Sequence, residues 1–400
     1  MTPDARAPRD ASPEALAGAV RRFGERAIVP READLARGGA NARRIVEALA
    51  RDTRSAGLWG LFHPVALGGR FAKLADYLPV AEQEGRSEYG PTIFGGRATL
   101  DLHMLHRHAS PQVRERFVSP LAAGRIDAAY AMSEPDQPGS VPATLETRAT
   151  LRDGRWCIDG RKWFVSRAAH AAFVTVVART RDRAPPEQAF SLIVVPTDAP
   201  GFRIEREIDV FGQPQGQCEL SFECVAVPEA FALGAPGEGF ALMRERLTLG
   251  RALNAGHWVG LAQRCYDLMG ARICSPRGTR ARLSDKQLIR LRMLDTYQAI
   301  AAARAQLQCA ARLIDAGAAA TLDVNLAKLA AARALNIAVD AAIQVHGAEG
   351  VSDATPLASI HRAARTVRIL DGADEALISS VGQQLIDAFR TSGPEDEPCL

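Results

Sequence analysis

A chain of 400 residues that is 47% hydrophobic and 24% charged is long enough to bury a large core and to divide into two or three units, which excludes a disordered or fibrous protein. Its formal net charge of +3, with no Lys/Arg run, gives no electrostatic case for a nucleic-acid partner. No segment approaches the roughly 18 apolar residues that cross a bilayer, and the start MTPDARAPRD is polar, so no membrane insertion and a cytoplasmic location are expected.

Residues 1–125 read as helices joined by Gly/Pro loops. Ser12-Pro13-Glu14 is an N-cap and first turn, followed by Leu16, Val20 and Phe23 on one face. Helical spacing recurs from Ala40 through Leu49 to Ala56, and the glycines of Gly57–Gly69 break it. Over 126–236 the period shifts towards two. Strands are expected at Thr147–Leu151, Trp156–Ile158, Phe173–Val177, Phe190–Val195 and Glu219–Val225, with Asp153-Gly154 and Asp159-Gly160 as hairpin-type turns. Over 237–392 long Ala/Leu-rich stretches return: Phe240–Ile273, Leu283–Ala316, Leu322–His346 and Ala373–Phe389, read as an antiparallel four-helix bundle. Residues 393–400 read as a flexible tail. The fold class is therefore an α+β multidomain chain with an N-terminal helical domain, a central β-barrel or sandwich domain and a C-terminal four-helix bundle. With no Gly-x-Gly-x-x-Gly after a strand and no P-loop, a nucleotide cofactor would not sit in a Rossmann crevice.

Four segments carry chemistry. YAMSEPDQPGS at Tyr130–Ser140 offers a polar strand end and a small Gly-Ser pair; GRKWFVSRAAH at Gly160–His170 puts an aromatic residue and a hydroxyl on a strand. AIQVHGAEGVSDATPL at Ala342–Leu357 ends a helix in glycines, and RTVRILDGADEA at Arg365–Ala376 places Asp-Gly before a helix. In this order they resemble the flavin-contact and catalytic segments of the acyl-CoA dehydrogenase family, and the likeness covers nearly the whole chain, including LGAPGEGF and GLAQRCYDLM.

The resemblance implies FAD held by Tyr130, Met132, Ser133, Glu134, Gly139 and Ser140 at the first segment, with Gly139 and Ser140 at the pyrophosphate. It implies Phe164 against the flavin ring, the Ser166 hydroxyl towards flavin N5 and the Val165 backbone alongside. Gln344, Gly347 and Gly350 would reach the FAD of a neighbouring subunit, which makes the protein a homodimer or homotetramer. Asp371 falls on the position of the catalytic carboxylate in the branch that uses aspartate; the family's other position for a base, before Arg251, is Gly250 here. Ser140, Arg251 and Gly372 would face the substrate.

The implied reaction is α,β-dehydrogenation of an acyl thioester, acyl-CoA to trans-2-enoyl-CoA. Asp371 takes the α-proton and the β-hydride passes to flavin N5, with enolate stabilisation and desolvation of the base assisting. An electron-transfer flavoprotein or similar acceptor then reoxidises the flavin. Departures from the family pattern are PRGTR at Pro276–Arg280, where an Arg-x-x-Phe-Gly loop is usual and where Arg277 or Arg280 would meet the cofactor, and Val141 in place of an aspartate. Ala348, Ala373 and Leu377 also replace the usual glycine, proline and histidine. The alternatives are a desaturase or oxidase of a carrier-protein-bound acyl chain and a catalytically silent flavin-binding scaffold. His103, His106 and His108 lack a further ligand, and the seven cysteines form no Cys-x-x-Cys; no metal is assigned, and the thiols are expected to be buried and reduced.

Overall fold

Ser12 caps the first helix as its position predicts: its hydroxyl accepts from the Ala15 amide at 3.3 Å, and Leu16, Val20 and Phe23 are buried. The computed structural model describes residue 8 and residues 11–391; the tail expected over 393–400 lies outside the described residues. The principal helices are α1 (Pro13–Phe23), α2 (Gly39–Ser55), α3 (Leu74–Glu84), α4 (Thr99–His108), α5 (Gly239–Cys274), the short α6 (Pro276–Arg280), α7 (Gln287–Asp315), α8 (Thr321–His346), α9 (Leu357–Thr366) and α10 (Asp374–Thr391). None among the described residues is long and apolar enough to cross a membrane. The four long C-terminal stretches are helical as expected, and α9 is an additional element between them. PRGTR is a helix and not a loop: the Ser275 hydroxyl accepts from the Gly278 amide at 3.0 Å and Pro276 takes the first turn, where a proline costs no hydrogen bond.

The chain clusters into two compact units. One draws on the chain up to Trp59, Lys73–Phe94 and the residues from Thr248 on; the other on Gly60–Ala72 and Gly95–Leu247. The N-terminal helical stretch thus contributes to both.

In the helical unit α8 is buried along most of its length by Ala, Leu and Val, the pattern of a helix surrounded on all sides. α3 and α5 meet where side chains vanish. A Cβ at Gly260 would lie 1.9 Å from the Glu82 carbonyl oxygen, so only glycine permits this backbone contact. Arg264 closes the same region with two bonds to Glu32, at 2.6 and 2.7 Å.

The other unit is built on eight strands: β1 (Asp127–Ala131), β2 (Arg148–Arg152), β3 (Arg155–Ser166), β4 (Ala171–Arg179), β5 (Phe190–Pro196), β6 (Phe202–Val210), β7 (Gln213–Pro228) and β8 (Ala232–Leu233). They run in the order β6-β7-β3-β2-β4-β5-β8, with β1 parallel to β4. β4 and β5 alternate little because both faces are covered; Phe173, Val174, Phe190 and Val195 pack with Leu102, Leu105, Val113 and Phe117 in one core. Asp153-Gly154 makes the β2–β3 turn with both residues at positive φ, the geometry that suits the strand twist. Asp159-Gly160 does not turn the chain. It lies inside β3, where the pairing with β7 slips between Ile158 and Gly160, so a dipeptide that reads as a hairpin is a bulge.

Among the described residues the expectation of buried thiols holds for Cys218 and Cys265. Cys224, Cys274 and Cys309 are exposed and Cys157 is partly so; Cys157 points outward by strand alternation, and Cys224 sits on the bulge.

Candidate active site

In the helical unit the chain between α9 and α10 turns through Asp371 at φ 56° and Gly372 at φ 106°. A non-glycine residue in this region stores strain that its surroundings must hold in place. Three side chains do so. Arg251 Nε donates to the Asp371 carbonyl at 2.7 Å, the Asn254 amide donates to the Asp371 carboxylate, and Lys328 Nζ donates to the Gly372 carbonyl at 2.9 Å. Arg251 is itself fixed by Asn325 Oδ1 at 2.9 Å. Burial lowers its pKa, opposed by Asp371. At Gly372 a Cβ would come within 3.1 Å of the Arg251 guanidinium, so the turn closes onto the arginine only with glycine there.

Asp371 and Asp374 stand three residues apart and differ in what they face. Asp374 is 3% exposed and engages Lys328 at 2.8 Å and Arg368 at 3.2 Å. It begins α10, where a carboxylate is favoured by the helix N-terminus. Asp371 is half-buried with Asn254 as its side-chain partner, which leaves acceptor positions on the carboxylate for a substrate proton.

The sheet unit carries the other predicted segments. β1 ends at Ala131, and its continuation Met132–Glu134 is held by Lys162 of β3: the fully buried ammonium lies 2.8 Å from the Met132 carbonyl and 2.8 Å from the Glu134 carboxylate. Glu134 also accepts from the Glu146 and Thr147 amides at 2.7 and 2.9 Å. Burial alone would raise its pKa, but Lys162 and these donors hold it below the ordinary carboxylate value. Its side chain is therefore spent inside the protein and positions Met132 and Ser133. The Trp163 amide donates to the Ser133 carbonyl at 3.0 Å.

Phe164 follows at φ 48° and is 48% exposed. β3 slips against β7 between Lys162 and Val165, which turns this large aromatic outward while Val165 is buried. Trp163 meets it edge to face at 4.9 Å between ring centres. The Ser166 hydroxyl and the Gln217 side-chain amide exchange bonds at 3.0 and 3.1 Å. Gly139 and Ser140 are exposed. The Tyr130 hydroxyl is buried and without a partner, its ring under Arg246 at 4.3 Å, and Arg246 pairs with the buried Asp101 at 2.9 Å.

In the helical unit Gln344 and Gly347 are exposed at the end of α8 and Gly350 is buried. Glu349, in the turn between them, binds Arg277 of α6 and Arg272 of α5, the latter at 3.3 Å. The structure thus brings together two residues, Arg277 and Glu349, 72 positions apart in sequence, through a contact that motif spacing did not reveal. Arg280 is exposed. Two of the three histidines of α4 are occupied singly, His103 with the Phe62 carbonyl at 2.9 Å and His108 with Glu245 at 2.9 Å.

Sequence reasoning missed Lys162, Asn254, Asn325, Lys328 and Asp374 as supports. Lys162 was detectable, because a lysine on the inward side of a strand demands a partner. Asn254 lies three residues after Arg251 on α5, the spacing of one helix face.

Three family models match the chain in order: the N-terminal domain of acyl-CoA dehydrogenase at residues 10–125, its middle domain at 129–225 and its C-terminal domain at 237–386. The chain is 34% identical over 356 residues to "Probable acyl-CoA dehydrogenase FadE2" of Mycobacterium tuberculosis, with 85% of each chain covered. To the Rattus norvegicus acyl-CoA dehydrogenase family member 11 it is 30% identical over 384 residues, 91% of this chain and 49% of that one; it spans about half the length of that relative. A solved structure from Mycobacterium abscessus, assigned as an acyl-CoA dehydrogenase, superposes with a TM-score of 0.85 at 29% identity, covering 96% of this chain and all of the other. The chain belongs to the acyl-CoA dehydrogenase family, FAD-containing oxidoreductases acting on CH–CH bonds in fatty acid metabolism. The residues present fit that cofactor: an outward aromatic held at positive φ and a braced strand end suit a planar ring, and exposed Gly139-Ser140 suits a phosphate.

Proposed function

We propose that the protein converts an acyl-CoA to the trans-2-enoyl-CoA with Asp371 as the base. The observation that carries this is the division of labour between two neighbouring carboxylates: Asp374 is consumed by Lys328 and Arg368, whereas Asp371 is set on a strained turn braced at three points with its carboxylate half-exposed.

A thioester α-proton is weakly acidic, so the base must be in place before reaction and the developing enolate must meet positioned donors. Asp371 receives the α-proton on a carboxylate oxygen. Asn254 fixes the plane of that carboxylate, and Arg251 and Lys328 fix the backbone behind it. Bound FAD supplies the hydride acceptor at N5. Met132, Ser133, Phe164 and Ser166 bind the ring; Gly139, Ser140, Arg277, Arg280, Gln344, Gly347 and Gly350 serve the pyrophosphate and adenosine. Ser140, Arg251 and Gly372 face the thioester. An electron-transfer flavoprotein is the acceptor that completes the cycle.

The assembly is a homo-oligomer, supported by an apolar stripe on α7: Leu288, Leu291, Leu294 and Tyr297 are all about half exposed or more, more than a solvated helix face needs. A carrier-tethered acyl chain is the second reading, supported by exposed Val141 where the family usually has aspartate. Anaerobic mixing of the yellow protein with acyl-CoA, and separately with the same acyl group on a carrier protein, tests both. Flavin bleaching by acyl-CoA with a product lighter by two hydrogens supports the first; bleaching by the carrier substrate alone supports the second. A colourless protein that acquires no flavin spectrum on incubation with FAD removes both.

A further inference from the structure

On the outer face of β3 and β7 three ligand-type side chains converge. Cys157 Sγ, an Asp159 carboxylate oxygen and Cys224 Sγ all lie within 4.8 Å of one another. Cys157 and Asp159 share one face of β3 by alternation. Cys224 joins them because β7 bulges: it takes φ 49° opposite the slip at Asp159. Its amide donates to Asp159 Oδ1 at 2.8 Å, which orients the carboxylate's other oxygen, 4.0 Å from Cys157 Sγ.

The charges around the cluster are turned elsewhere. Arg148, opposite Asp159 on β2, reaches Asp182 at 3.1 Å; Arg155 donates to the Ala226 carbonyl at 2.8 Å; Arg203 and Glu223 close on each other at 2.8 Å. Among the described residues Asp159 has no cationic partner.

We propose that Cys157, Asp159 and Cys224 form a surface site for one thiophilic divalent cation, Zn²⁺ by its chemistry, with water as fourth ligand. Tetrahedral Zn²⁺, with Zn–S of about 2.3 Å and Zn–O of about 2.0–2.2 Å, needs its ligands about 3.5–3.8 Å apart, inside the 4.8 Å limit here. Two thiolates and a carboxylate suit this borderline ion better than Mg²⁺ or Ca²⁺, which take oxygen. On binding, both thiols lose their protons to solvent and two Zn–S bonds and one Zn–O bond form; nothing is oxidised. The Cys224 amide bond to Asp159 is the outer contact that sets the third ligand. The ion would pin β3 to β7 across the bulge.

The test is a Co²⁺ titration of the reduced, FAD-loaded full chain, read in the red, where oxidised flavin does not absorb. One Co²⁺ per chain should give a tetrahedral band that Zn²⁺ abolishes. Cys157→Ser and Cys224→Ser should lose the band, Asp159→Asn should weaken binding about 10-fold, and Cys274→Ser and Cys309→Ser should leave it unchanged. Far-UV circular dichroism and FAD content check the folding of each variant. Independently of any variant, Zn²⁺ should protect Cys157 and Cys224, but not Cys274 and Cys309, from alkylation read by peptide mass. No band, a band that survives Cys157→Ser or Cys224→Ser, equal alkylation of all four, or a Cys157–Cys224 disulfide formed in air in the presence of Zn²⁺ overturns the proposal.

Discussion

In the sheet unit Lys162, fully buried, lies 2.8 Å from Glu134 and 2.8 Å from the Met132 carbonyl; in the helical unit Lys328, equally buried, lies 2.8 Å from Asp374 and 2.9 Å from the Gly372 carbonyl. Each lysine ties a carboxylate and a backbone carbonyl of one turn, and each turn carries residues of the proposed chemistry. The margins differ. Glu134 has one cation and two backbone amides, whereas Asp374 has a second cation in Arg368. A buried pair that loses its only cation leaves a charge stranded in low dielectric; a pair with a spare does not. The flavin-segment turn is therefore the more fragile.

Removing each lysine breaks or confirms this comparison. Lys162→Met should cost about 3–5 kcal/mol, the usual penalty for stranding a buried charge. Lys328→Met, with Arg368 remaining, should cost about 1.5–3 kcal/mol, the worth of a charged hydrogen bond. Urea unfolding of both variants measures it, and equal or reversed losses would show that the second cation counts for nothing.

Asn254→Ala sharpens the helical side. With Arg251 and Lys328 still holding the turn, flavin reduction should slow by about 10- to 100-fold through misplacement of the carboxylate, while FAD content and melting temperature stay at wild-type values. A proportional loss of FAD would make Asn254 a support of the fold instead.

The smallest effect concerns acid. Glu134 is held below its unfolded value, so its contribution is present at neutral pH and is lost as pH falls through the folded pKa, below the ordinary carboxylate range. Urea midpoints from neutral to acid should fall more steeply for wild type than for Glu134→Gln. Parallel curves would mean that Glu134 does not titrate with unfolding.

The long helices and most strands were legible because burial imposes periods of 3.6 and 2 on Ala/Leu and on Val/Phe. β6 and β8 were not, and of β1 only the end at Tyr130 was read. Phe202–Val210 is largely exposed and charged and Ala232–Leu233 is two residues long, so neither shows the pattern of a strand with a core face. α9 was passed over between two motifs, although Leu357, Ile360 and Ala364 fall at helical spacing. Asp371 and Phe164 stood out through resemblance, but their positive φ and the side chains that brace Asp371 exist only in space. The thiol cluster was out of reach for the same reason: Asp159-Gly160 reads as a turn, and only the observed bulge sets Cys224 beside Cys157.

The most direct measurement compares Asp371→Asn with Asp374→Asn by anaerobic rapid mixing with an accepted acyl thioester, following loss of the oxidised-flavin band beside FAD content and melting temperature. Asp371→Asn should retain FAD and stability while bleaching slows by about 10²–10⁴-fold, as for a lost general base, and Asp371→Glu should keep measurable activity. Asp374→Asn should lose stability first. Bleaching at the wild-type rate in Asp371→Asn, with FAD content unchanged, would contradict Asp371 as the base.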